Sequence, residues 1–276
     1  MRADDAPVPA AVALPDDTAA TPRPGDTYVQ SFARGLQVIR SFSAQAPQQT
    51  LSEVAQRTGL TRAGARRILL TLESLGYVRS QGRQFSLAPR ILDLGFAYLS
   101  SLPLWNLAEP VMERLVEDLK ESCSAAVLDG PDIVYVLRVP THKIMSINLG
   151  IGSRLPAHCT SMGRTLLADM EPAALDALLR EYPPMRRTER TLVDVNALKA
   201  ELARVREQGW CLVDQELEEG LVSLSAPIRD RSGRAIAAMN ISGQANRTSP
   251  ATMVAQFLPK LRAAAQEISR MLQHKG

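Results

Sequence analysis

The stretch LSEVAQRTGLTRAGARRILLTLESLGYV, residues 51–78, constrains this chain more than any other part of it. It reads as two short amphipathic helices in succession. In the first, Leu51, Val54 and Ala55 share a face, Ser52 is the N-cap candidate and Gly59 marks the end. Thr61 caps the second, which runs to Leu75 and stops at Gly76. Its apolar face is Ala65, Ile68, Leu72 and Leu75. The opposite side carries Arg62, Ala63, Arg66 and Arg67 and almost no acid. A helix divided in this way is either a solvated surface helix or one that lies against an acidic polymer.

The flanking segments bear on that choice. SFARGLQVIRSFS spaces Phe32, Leu36, Ile39 and Phe42 as a helix, and AQAPQQT interrupts it. YVRSQGRQFSLAP reads as two short strands turning at Gln81-Gly82. Three helices followed by a basic hairpin make a winged helix-turn-helix, a double-stranded DNA reader. Charge agrees: the chain is only +3 overall, yet residues 28–90 hold nine arginines against Glu53 and Glu73 alone. In such a module the N-terminal part of the second helix enters the major groove. Arg62, Arg66 and Arg67 can grip guanine edges or phosphate there, beside Ala63. Thr61 meets phosphate at the helix N-terminus, and Arg79, Arg83 and Gln84 of the hairpin reach the adjacent backbone or minor groove. Gly64 inside this helix costs about 1 kcal/mol of helix propensity relative to alanine.

The organisation follows from composition. Residues 1–27, rich in Ala, Pro, Asp and Thr, have no periodicity and read as a disordered tail. Residues 28–90 are the DNA-binding domain. PRILDLGFAYLSSLP supplies a linker helix, 91–104, whose stripe of Ile91, Leu94 and Tyr98 can pair with a second copy. Residues 105–274 alternate helices and strands. CSAAVLDGPDIVYVLRVP and LVSLSAPIRDRSGRAIAAMNISG are hairpins turning at Asp129–Asp132 and at Arg231-Ser232-Gly233. KIMSINLG reads as a strand and IGSRLPAHCT as a loop. LAEPVMERLVEDLKES, SMGRTLLADM, EPAALDALLREY, NALKAELARVREQG and a closing segment after Ser249 are helices. Hairpin-joined strands imply an antiparallel sheet with helices on one side, an α+β domain. With aromatics at 4%, its core must be built mainly from Leu, Val, Ile and Ala.

Catalytic signals are thin. There is no GxSxG, Walker A, GxGxxG after a strand or HExxH, so the chain reads as a non-enzyme without cofactor. Cys123, Cys159 and Cys211 are far apart, which suits a reducing cytoplasm better than a disulfide framework. No apolar run is long enough to span a membrane. His142, His158 and His274 are isolated. His158 beside Cys159 raises the alternative of a metal or redox sensor, with Cys211 as a further member, although neighbouring residues usually point apart. DQELEEG, residues 214–220, is either a solvated loop or the border of a pocket. GSRLPAHCTSMGRTLLA is the most informative part of the second domain. Its polar loop runs into a helix start whose backbone N–H groups and hydroxyls suit a small carboxylate, or simply cap the helix.

Taken together, RGLQVIRSF, LTRAGARRILLTLESLGYV, FSLAPRILDLGFAYLSS, LPAHCTSMGRTLLA and GLVSLSAPIRDRSGRAIAAMNISG resemble the isocitrate lyase regulator family of bacterial transcription factors, over nearly all of 28–274. The second and fourth are most similar to its β-ketoadipate pathway group, which governs catabolism of protocatechuate and 4-hydroxybenzoate. The resemblance implies a winged-helix reader joined to a GAF-like effector domain, acting as a dimer or dimer of dimers on promoter DNA. By position it carries effector contacts onto Ser161, Met162, Val213, Leu221, Ser223, Asn240 and Ser242, with His158 beside them. Relatives that take glyoxylate or pyruvate commonly have a carboxylate near Val213 and a cysteine near Ser223, and this chain has neither. A different small organic acid, aromatic or a β-ketoadipate-type dicarboxylate, is therefore the expected effector.

Overall fold

The structure, a computed structural model, describes residues 28–101, 104–141 and 149–274. The tail 1–27, His142 and nearly all of the expected KIMSINLG strand lie outside the described residues. The chain divides into two compact units between Gly95 and Phe96.

In the first unit the elements are α1 (Gln30–Arg40), β1 (Gln48–Thr50), α2 (Leu51–Thr58), α3 (Arg62–Ser74), β2 (Val78–Gln81) and β3 (Gln84–Leu87). Thr50, not Ser52, caps α2. Its hydroxyl accepts the Glu53 N–H, and the Glu53 carboxylate accepts the Thr50 N–H at 2.7 Å. That reciprocal box needs a Glu or Gln three residues after the cap. Counted from Ser52, the third residue is Ala55, which can return nothing. Gly59 closes α2 at φ 63°. Thr61 caps α3 by accepting the Gly64 N–H at 3.1 Å. The buried face of α3 is Ala65, Leu69 and Leu72, packed on Val38, Phe42, Val54 and Val78. Leu75 is 51% exposed, because the helix ends at Ser74 and the chain turns at Gly76. Leu69, outside the expected stripe, takes the core position that was expected of Leu75. The polar QQT, read as a break, is a strand: Gln49 pairs with Phe85, giving the order β1-β3-β2. Gln81 pairs with Gln84, so the hairpin turns at Gly82-Arg83 rather than at Gln81-Gly82.

A 3-10 turn, Pro89–Ile91, leads into α4 (Leu92–Ser101), which crosses the boundary and buries none of its residues fully. The second unit continues with α5 (Leu104–Leu119), β4 (Ser122–Asp129), β5 (Asp132–Val139), β6 (Arg154–Pro156), α6 (Ser161–Leu167), α7 (Pro172–Glu181), α8 (Val195–Gln208), β7 (Cys211–Asp214), β8 (Leu221–Arg229) and β9 (Ala235–Gln244). It ends with a turn α9 (Pro250–Thr252) capped by Ser249, a π-helical turn (Met253–Phe257) and α10 (Leu258–His274). The antiparallel sheet has the order β6-β5-β4-β9-β8-β7. The segment IGSRLPAHCT, expected as a loop, contributes edge strand β6 and a 3-10 turn, Ala157–Cys159.

Helices cover both faces of this sheet, not one. Met112 and Leu115 of α5 and Leu261 and Ile268 of α10 pack on Cys123, Ala125, Leu224 and Ile241. Met162 and Leu166 of α6 and Leu198 and Leu202 of α8 pack on Ala126, Tyr135, Val213 and Ala238. The cause lies in β4, β8 and β9, whose residues are buried in succession rather than in alternation. A strand buried on both sides needs cover on both sides. No helix among the described residues is long and apolar enough to cross a membrane.

Candidate nucleic-acid interface and ligand cavity

Thr61, Arg62, Ala63, Arg66 and Arg67 are all exposed on α3, as are Arg79 on β2 and Arg83 at the hairpin tip. None of these arginines pairs with a carboxylate among the described residues. The two acids of residues 28–90 are engaged locally. Glu53 is held in its capping box, and Glu73 accepts the Ser80 N–H at 3.2 Å and the Ser80 hydroxyl, tying α3 to β2. The arginine face therefore projects its charge without local neutralisation, as binding to a phosphate backbone requires. The Thr61 hydroxyl accepts the Gly64 N–H, which leaves its own proton to donate outward.

In the second unit, strand register assembles a polar strip on the sheet face beneath α6. Ser124 stands opposite both Arg138 and Asn240, and Asn240 stands opposite Ser225. In the next rung Ser242 stands opposite both Ser122 and Ser223. Directly opposed side chains on antiparallel strands lie within reach of one another. The same strands present Cys123, Ala125, Ile241 and Leu224 to the other face, so the polarity is confined to one side.

Buried polar atoms need partners, and this strip supplies them. Asn240 Nδ2 donates to Ser223 Oγ at 3.0 Å and to Ser242 Oγ at 2.9 Å, while Oδ1 accepts the Ser124 N–H at 3.2 Å. Helix α6 docks on it through Ser161–Ser223 and Thr165–Ser225 hydroxyl pairs, each 2.8 Å. Thr160 caps α6 through the Gly163 N–H at 3.2 Å and donates to the Pro156 carbonyl at 3.0 Å. Only glycine fits at 163, since a Cβ there would land on the Ala157 backbone.

The strip opens onto a narrow cavity with a solvent-facing mouth. Six of the residues singled out from the sequence line it: Ser161, Met162, Leu221, Ser223, Asn240 and Ser242. Two do not. Val213 is packed in the core between β7 and the helices. The ring of His158 faces away, with Nε2 2.9 Å from the Met185 carbonyl, and burial holds its pKa below the ordinary imidazole value. The lining also includes Thr160 of the polar loop before α6, Leu217 of the DQELEEG segment that was weighed as a pocket border, and Tyr135, Arg138 and Leu149, which the sequence reading passed over. Burial pushes the Tyr135 phenol up to about 12, with Arg138 pulling the other way. The hint for Arg138 was its place as the one charged residue in the run from Ile133 to Val139.

The loop after β7 is pinned beside this cavity. Arg164 on α6, 2% exposed, donates from Nη1 and Nη2 to the two Glu216 oxygens at 2.7 and 2.5 Å, and from Nε to the His158 carbonyl at 2.7 Å. Glu216 also accepts the Leu192 N–H at 2.8 Å. Of the DQELEEG carboxylates, Asp214 pairs with Arg190 and Glu216 is turned inward, while Leu217 forms cavity wall. The three thiols are buried, and burial pushes those of Cys159 and Cys211 up to about 12 and that of Cys123 higher still. Thiols so protonated are poor nucleophiles and poor metal ligands, which counts against the redox reading. Among the described residues no group of three or more His, Cys, Asp or Glu could hold a metal ion.

Comparison with known proteins bears on both units. Residues 31–82 match the IclR helix-turn-helix domain, and residues 96–270 match the C-terminal domain of the bacterial transcriptional regulator IclR. The Pca regulon regulatory protein of Pseudomonas putida is 44% identical over 246 residues, covering 89% of this chain and 84% of that protein. A solved structure described as a transcriptional regulator of Rhodococcus sp. RHA1 superposes with a TM-score of 0.82 at 51% identity, covering 89% of this chain and 98% of that one. An IclR homolog from Microbacterium hydrocarbonoxydans, solved in complex with 4-hydroxybenzoate, superposes with a TM-score of 0.78 at 27% identity, covering 88% of this chain and 98% of that one.

Proposed function

This chain belongs to the IclR family of bacterial transcriptional regulators, and from that premise we propose that it controls genes of aromatic-acid catabolism by binding promoter DNA under the control of a small aromatic carboxylic acid. The effector class is that of protocatechuate and 4-hydroxybenzoate. The observation that carries the reading is the hydroxyl-rich strip of Ser161, Ser223, Asn240 and Ser242, opening onto a cavity in an otherwise apolar domain. A ring rests against Met162, Leu217 and Leu221, and polar substituents meet the strip. The Pca regulon relative and the 4-hydroxybenzoate-bound homolog support the choice of ligand class. Thr61, Arg62, Ala63, Arg66, Arg67, Arg79 and Arg83 meet the DNA. The protein acts in the cytoplasm, turns over no substrate, and works as a dimer or dimer of dimers. In that assembly α4, with Leu92 and Phe96 about 70% and 69% exposed, pairs with a second copy.

Effector occupancy biases two arrangements that differ in DNA affinity, a coupling of about 1–3 kcal/mol. The test is a thermal-shift screen of protocatechuate, 4-hydroxybenzoate, β-ketoadipate, glyoxylate and pyruvate, followed by promoter binding with and without each hit. An acid at 100 times its dissociation constant stabilises its domain by about 2.7 kcal/mol. A shift with glyoxylate or pyruvate alone, or with none of the five, would remove the aromatic-acid assignment.

A further inference from the structure

We infer that Arg138 is the carboxylate anchor of the effector cavity, and that the ligand lies across the sheet from Arg138 to the Ser161–Ser223–Ser242 hydroxyls. This rests on the reading of the cavity as an effector site and names how that site selects its ligand. Arg138 sits half-buried in the cavity wall on β5. Its one side-chain hydrogen bond among the described residues is a long one, 3.5 Å from Nη1 to Ser124 Oγ. No carboxylate of the described residues pairs with it. Four other arginines that hold this unit together are paired: Arg154 with Asp129 and Asp132, Arg164 with Glu216, Arg190 with Asp214, Arg229 with Asp169.

An arginine withdrawn from water without a counter-charge is costly, and it persists where an anion arrives to complete it. The guanidinium fork matches a carboxylate through two parallel hydrogen bonds. The neighbouring groups fit that role. Tyr135 presents a phenol kept protonated by burial, a donor rather than a competing anion.

Strand spacing then works as a ruler. Arg138 and Ser223 lie three strands and two residues apart, about 16 Å between backbones at ~4.8 Å per strand and ~3.4 Å per residue. The arginine side chain covers part of that span, and the remainder suits a ring with substituents at opposite ends. At the far end the hydroxyls of Ser161, Ser223 and Ser242 serve as donor or acceptor according to need. The cavity therefore favours a ring acid with a hydrogen-bonding group para to the carboxylate.

The experiment is calorimetric titration of the full chain with 4-hydroxybenzoate, its neutral analogue 4-hydroxybenzamide, and benzoate, for the wild type, R138M, R138K and S223A. The wild type should prefer the acid over the amide by on the order of tenfold or more, as expected of a charge-assisted pair. R138M should bind acid and amide alike, and R138K should recover part of the preference. S223A should keep the acid-over-amide preference while losing discrimination between 4-hydroxybenzoate and benzoate. If R138M, or R138K should R138M not fold, retains the full wild-type preference, the anchor is elsewhere. If S223A still discriminates against benzoate, the orientation is wrong. A wild type that binds linear acids but no aromatic one overturns the ligand class itself, a result distinct from either of these.

Discussion

Replacing Glu216 with leucine would leave the Arg164 guanidinium buried without its counter-charge. Arg164 is 2% exposed and the Glu216 side chain 13% exposed, so solvent cannot take over the lost contacts. Two hydrogen bonds from Arg164 vanish, and the Leu192 N–H loses its acceptor. Removing one partner of a buried pair costs about 3–5 kcal/mol, mostly as the penalty of the stranded charge. For a unit of this size, 1 kcal/mol corresponds to roughly 2–4 °C, so the effector unit should melt about 6–20 °C lower. Arg164→Met should cost somewhat less, because Glu216 keeps the Leu192 N–H and some solvent. The double variant removes both charges. It should cost about 1–2 kcal/mol, from the orphaned His158 carbonyl and Leu192 N–H, far below the sum of the singles. Urea denaturation of the full chain, following the transition of the second unit for all four proteins, measures this cycle. Because Leu217 and Leu221 wall the cavity, effector affinity should fall in the single variants as well. Additive single and double costs, or a Glu216→Leu penalty below about 1 kcal/mol, would refute the reasoning.

Arg66→Ala should weaken promoter binding by about 1–3 kcal/mol if the side chain reads a base, measured by fluorescence anisotropy at fixed salt; undiminished affinity would remove Arg66 from the interface. Leu69→Ala should destabilise the first unit by about 2–5 kcal/mol, whereas Leu75→Ala, at a half-exposed position, should stay within about 0.5 kcal/mol; equal costs in urea titrations would contradict the observed core of α3. His158 is held below its ordinary value of 6.5 by burial, so as pH falls through that value the unfolded chain takes up a proton that the folded chain refuses. Its contribution is complete above 6.5, is lost as pH falls below it and levels off beneath the folded value. His158→Gln should flatten that part of the stability profile, and an unchanged slope would count against burial of the ring as its source.

The helices were largely legible, because what makes them is local. Gly59 ending α2, Thr61 capping α3 and Ser249 capping the turn before α10 follow from spacings of three and four residues. The errors arose where two local choices compete. Ser52 and Thr50 both have capping side chains, and only the position of Glu53 separates them. Leu69 and Leu75 both fit an apolar stripe, and only the end of the helix at Ser74 decides. Strands β1 and β6 were missed because three polar or mixed residues carry no periodicity; pairing with β3 and β5 makes them strands.

For the cavity, the family resemblance carried effector contacts onto six positions that line it, at the start of α6 and on β8 and β9. His158 had the right neighbourhood along the chain and the wrong direction in space, whereas Val213 shares the sheet face of Ser223 but is taken up in core packing beside the cavity. Arg138 could not be found that way, since its position depends on the register of β5 against β4 and of β4 against β9. By itself the sequence determined the helix-turn-helix, the concentration of its charge and the alternation of helices and strands beyond residue 105, all set by contacts within a few residues. Only the tertiary structure decided that both faces of the sheet are covered, and that an arginine from β5 shares a cavity with serines of β8, β9 and the start of α6. Those outcomes depend on pairing between residues distant in sequence, 116 apart in the Ser124–Asn240 bond, and no local pattern encodes such a register.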